Sequence, residues 1–167
     1  MTTARIAGLF YSITFVTGGF ALVVRNRWGV VAGLLAGACY IAVTVLFYFL
    51  FKPVDRRLSL VAACVSLAGI AVGPLRLTSV NPLVLFGFYC LLIGYLIFRS
   101  TFLPRMLGAL MVFAGLGWLT FLSPALANRL SPYNFAPGLL GEGALTLWLL
   151  ARGVNEPRWQ EQTSRNP

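Results

Sequence analysis

Histidine is absent from this sequence of 167 residues, and only four side chains are acidic. Without histidine there is no Ser-His-Asp triad and no Glu-x-x-His metal motif. Three of the acids, Asp55, Glu156 and Glu161, fall at one predicted side of the molecule, so paired-carboxylate chemistry with the fourth, Glu142, is not expected. Cysteine is scarce too. Cys39, Cys64 and Cys90 each lie inside an apolar run, with no C-x-x-C, so a structural zinc site lacks ligands. They read as small buried hydrophobes, and a disulfide would need two helices to bring two of them together. Glycine-rich phosphate loops are missing as well. No catalytic residue, metal ligand or cofactor is expected.

What is present is apolar. Hydrophobic residues make up 59% and charged residues 10%, against about 25% charged in an average globular domain. A mean hydropathy of +0.84, with several apolar runs near the length of about 20 residues that crosses a bilayer, points to lipid as the solvent. The net charge of +9 does not indicate nucleic acid, because the cations are not clustered. They stand singly or in small groups between apolar runs, as in Arg25/Arg27, Lys52/Arg56/Arg57 and Arg99/Arg105, the placement of helix-flanking anchors.

Cutting the sequence at its charges and Pro/Asn breaks predicts an all-α, polytopic transmembrane bundle of about six helices, at residues 6–24, 28–51, 58–75, 83–98, 106–126 and 136–151. Residues 1–153 form one transmembrane domain and 154–167 a short polar tail, expected to fray beyond Trp159. The first run is too long for a signal-peptide core and ends in Val-Val-Arg, so it reads as a retained helix. The fourth and sixth spans are short for about 30 Å of hydrocarbon, so a five-helix alternative with one of them re-entrant stays open. Counting cations by side puts Arg5, Lys52, Arg56, Arg57, Arg99, Arg105, Arg152, Arg158 and Arg165 together, against Arg25, Arg27, Arg76 and Arg129 opposite. The positive-inside bias then places both termini in the cytoplasm. The external connection from Asn128 to Pro137 is the longest and holds two prolines, so an ordered loop or half-helix is expected there.

Small residues recur at helical spacing: Gly33/Gly37, Gly69/Gly73, and Gly108, Gly115 and Gly117. In lipid they permit close helix packing, within the bundle or across a homo-oligomer face. The first span carries Ser12, Thr14 and Thr17, whose hydroxyls can bond their own backbone. Glu142 is the most informative residue, since an ionisable group within a span is costly and marks a functional or paired position. It lies roughly 8–9 Å below the outer boundary at 1.5 Å per residue. Thr146 shares its face, and Gly138, Gly141 and Gly143 leave room beside it. Two readings stay open: an ion pair with Arg76 or Arg129, or a proton- or cation-handling group in a cavity.

Three stretches carry a family resemblance: A-R-I-A-G-L-F-Y at residues 4–11, R-S-T-F-L-P-R-M-L-G at 99–108 and G-E-G-A-L-T-L-W-L-L at 141–150. The chain resembles the DUF4386 family of uncharacterised bacterial multi-pass membrane proteins. The resemblance implies a bacterial inner-membrane protein and makes Arg105, Glu142 and Trp148 parts of family motifs, but carries over no catalytic residue. Two functions follow as expectations. The first is a non-enzymatic bundle in the lipid bilayer that binds a small hydrophobic ligand or supports another membrane component. The second is a small transporter or ion-coupled carrier that uses Glu142 in an outward-facing cavity.

Overall fold

The computed structural model describes residues 2–75 and 81–165, which form helices α1 (Thr2–Val23), α2 (Arg27–Phe51), α3 (Arg56–Leu75), α4 (Pro82–Arg99), α5 (Arg105–Leu119), α6 (Pro124–Leu130), α7 (Ala136–Ala151) and α8 (Glu156–Arg165). Single 3₁₀ turns at Thr120–Leu122 and Tyr133–Phe135 flank α6, and no strand occurs among the described residues. The fold is an all-α bundle, as the sequence predicts.

Local chemistry sets the helix starts. Asn26 accepts from the backbone N–H groups of Trp28 and Gly29, and Asn81 accepts from Leu83 ahead of Pro82 at the first turn. Asp55 accepts from Leu58 N at the start of α3. Each side chain satisfies an N–H that the first turn would leave unpaired. The fifth apolar run does not continue as one helix to residue 126. It stops at Leu122, where Ser123 and Pro124 cap and begin the separate short α6.

The six long helices pack in a ring. Each touches its chain neighbour from α1 through α5, α7 packs on α5, and α7 also packs on α1 to close the circle. The α4–α5 seam is close-packed. A Cβ on Gly94 would stand 2.9 Å from Gly108 O, and one on Gly115 would stand 2.8 Å from Gly87 O. The glycines pair across an antiparallel seam, so the backbones themselves touch. Gly37, by contrast, has nothing within 4 Å of its added Cβ, and Gly33 meets only Ala21 at 3.7 Å. Gly73 carries no described side-chain environment.

Four helices, Thr3–Ala21, Arg27–Phe51, Pro82–Arg99 and Arg105–Leu122, are long and apolar enough to cross a membrane. At 18 residues α4 is among them, whereas α7, with 16, remains short. The outer surface is correspondingly apolar, with Val16, Leu34, Phe49, Leu116 and Leu147 all exposed. In water such a belt would aggregate, whereas lipid solvates it.

The tail differs from expectation. Instead of fraying after Trp159, residues 156–165 form α8, which folds back on the bundle. Trp159 Nε1 donates to Leu50 O at 3.0 Å, and Gln162 Oε1 accepts from Thr101 N at 3.1 Å. These bonds, with Gly153 at a φ of 68° turning the chain, replace the apolar run that a tail helix lacks.

Candidate functional site

Two places bring chemistry-bearing side chains together. The first lies at mid-bundle. Tyr11, Cys90 and Glu142 each sit nine residues from the same end of their helices, at Thr2, Arg99 and Ala151, which is about 14 Å along the axis. Tyr11 OH donates to Glu142 Oε2 at 2.5 Å, Trp118 Nε1 donates to Oε1 at 2.6 Å, and Cys90 Sγ stands 3.8 Å from Oε1. Three helices besides its own thus converge on one buried carboxyl group. Tyr40 packs edge-on against both Tyr11 and Tyr89, at ring-centroid distances of 5.6 and 6.1 Å. The Tyr40 and Tyr89 hydroxyls are buried and have no hydrogen-bond partner among the described residues.

Glycines make this arrangement reachable. A Cβ on Gly138 would stand 2.2 Å from Trp118 Cζ2, and one on Gly141 would stand 2.3 Å from Leu110 O. Their missing side chains let α7 press onto α5, so the indole reaches the carboxyl group one turn further on. Gly143 meets nothing within 4 Å. The room that Gly138 and Gly141 leave beside Glu142 is filled by α5.

Thr146 is buried one turn below Glu142, where its hydroxyl donates to Glu142 O at 2.7 Å. It thus bonds its own backbone and does not extend the cluster. Arg129 is exposed on α6, and Arg76 lies outside the described residues. The ion pairs among the described residues, Arg99–Asp55 at 3.2 Å and Arg165–Glu161, include neither Glu142 nor Arg129. The expected Glu142–Arg129 pair is therefore not formed, because neutral donors from α1 and α5 occupy the carboxyl oxygens. A carboxylate can take several such donors, and each costs less to bury than a guanidinium. Ser12, Thr14 and Thr17 donate to carbonyls four residues back, as expected for hydroxyls in a span.

The three cysteines are free, Cys39 and Cys90 buried and Cys64 exposed. Among the described residues no three His, Cys, Asp or Glu side chains converge as metal ligands.

The second place lies at the end of the bundle where the 52–55 and 100–104 links and α8 meet. This end collects Lys52, Arg56, Arg57, Arg99, Arg105, Arg152 and Arg158, with Arg5 beside Gly153. Asp55 and Arg99 tie two of its links together. Between α1, the end of α2 and α8 is a cleft of about 380 Å³, with Phe49, Leu50, Val154 and Trp159 as its apolar wall and Lys52 and Glu156 on its polar side. Sequence reasoning missed this cleft, since it depends on α8. Trp159 was the available signal: an indole in a polar tail needs both a surface to cover and an acceptor.

Residues 24–84 and 75–153 match the family described as "Domain of unknown function (DUF4386)". An uncharacterized protein of Archaeoglobus fulgidus is 28% identical over 127 residues, which covers 68% of this chain and 76% of that protein. No solved structure matches.

Proposed function

The chain belongs to the DUF4386 family, a domain of unknown function, and on that premise we propose a non-enzymatic, multi-pass protein of the bacterial inner membrane that binds a small hydrophobic molecule at its cytoplasmic end. The observation that carries this reading is the cleft of about 380 Å³ under α8. Its volume lies within the range of small-molecule sites, about 300–1,000 Å³, and such sites combine an apolar wall with a few polar groups that fix orientation. Phe49, Leu50, Val154 and Trp159 supply the wall, and Lys52 an ammonium for a head group. On a topology of six crossings with both termini cytoplasmic, the positive-inside bias supports an inner-face position for the cation-rich end and this cleft. The Glu142 cluster then serves as a clamp that holds α1, α4, α5 and α7 in register beneath it.

The test uses bromoundecanoate, a fatty acid whose bromine quenches indole fluorescence on contact. In detergent it should quench wild-type protein saturably, and Trp159→Phe should remove the saturable part. Quenching that rises without saturation, or is unchanged in Trp159→Phe, defeats the reading.

One observation favours a second reading. The unpaired Tyr40 and Tyr89 hydroxyls stand in the same layer as Glu142, as groups that accept a passing proton or cation would. On that reading the protein is a small ion-coupled carrier. Proton or solute flux in liposomes that disappears in a stably folded Glu142→Gln variant supports the carrier; absence of flux in both forms supports the clamp.

A further inference from the structure

A second cleft, of about 340 Å³, opens between the 100–104 link and the turn that joins α7 to α8. Among the residues that form it are two arginines, Arg152 and Arg158, and no acid. Neither arginine takes part in an ion pair among the described residues. The turn at Gly153, whose φ of 68° favours glycine, reverses the chain so that both arginines reach one cleft.

Both guanidinium groups are oriented before any ligand arrives. Arg152 stacks 4.9 Å from the centre of the Trp148 ring. Arg158 spends one N–H on Thr101 O at 3.4 Å, and its own backbone N–H is held by Asn155 Oδ1 at 3.3 Å. Each guanidinium carries five donors in a planar fork, so most remain for a ligand. Leu103 and Trp148 give the cleft an apolar flank.

We propose that this cleft binds a phosphate group between Arg152 and Arg158. Two forks facing one site would use every lone pair of a carboxylate, whereas a phosphate brings further oxygens and a second negative charge to match the two cations. The apolar flank and the position at the cation-rich end suit a phospholipid head group, and the same donors would take free phosphate.

The experiment counts lipid bound to the purified full chain by native mass spectrometry during titration with phosphatidylglycerol, with oleate as a phosphorus-free anionic control. The Arg152→Gln/Arg158→Gln variant should lose about tenfold in phosphatidylglycerol affinity, the scale of one or two charge-assisted contacts. Arg57→Gln, which removes the same kind of charge outside the cleft, should stay within about twofold, and oleate should not compete. Should the double glutamine variant unfold in detergent, Arg152→Lys/Arg158→Lys takes its place, keeping the charge while losing the fork, and should still lose several-fold. Displacement of the lipid by millimolar inorganic phosphate identifies free phosphate as the ligand, and lack of displacement identifies the head group. Wild-type affinity in both double variants, or an equal loss in Arg57→Gln, overturns the proposal.

Discussion

Glu142 shows at the scale of one residue how neutral donors from neighbouring helices can hold a buried acid. Tyr11 and Trp118 bond its two oxygens at 2.5 and 2.6 Å, and the group is 8% exposed. Removing either donor leaves a buried carboxyl oxygen with one partner fewer, and interhelical bonds of this kind contribute about 1 kcal/mol in membranes. Tyr11→Phe and Trp118→Phe should each lower stability in detergent by about 1–2 kcal/mol, and the double variant should depart from additivity because the two share one acceptor. Additive losses would mean that the carboxyl group does not couple them. Arg129→Gln should leave the midpoint within about 0.5 kcal/mol, as expected for a surface change away from packing. The presence of a special acid was legible in the sequence, because a charge in an apolar run stands out. Its partners were not, since neutral Tyr11 lies 131 positions away and resembles any other aromatic residue in a span.

Packing decides the outcome at the scale of an element. Gly94→Ala sets a Cβ 2.9 Å from Gly108 O and 2.8 Å from Val112 Cγ2, so α4 and α5 must separate, at a cost of about 1–3 kcal/mol. Gly37→Ala meets nothing within 4 Å and should be neutral or stabilise by up to about 1 kcal/mol through helix propensity. Thermal midpoints of the two variants check the contrast, and equal effects would show that the seam is not close-packed. Both glycines belong to the same residue type in the same kind of run, so the sequence could not rank them. The long apolar helices themselves were legible because runs of about 20 apolar residues have few other uses. Helix α8 was not, because its sequence is polar and what holds it are single bonds from Trp159 and Gln162 to distant backbone.

For the whole molecule, the ring of six helices brings the links that carry most of the cations to one end. Cysteine introduced at Ser164 should resist a membrane-impermeant thiol reagent in intact cells, while cysteine at Asn128 should react, both in a background that lacks the native cysteines. The reverse pattern would invert the orientation, and reaction at both sites would break the six-crossing count. The same end carries both clefts, which are built from links far apart in the sequence and closed by α8. For the central claim, that the cleft under α8 takes a small hydrophobic molecule, the most direct measurement is anomalous diffraction from crystals of the full chain grown with bromoundecanoate. Ligand binding predicts a bromine peak inside the cleft, against Leu50 and Trp159; bromine found only along the outer belt of Val16, Leu34 and Leu116 would contradict it.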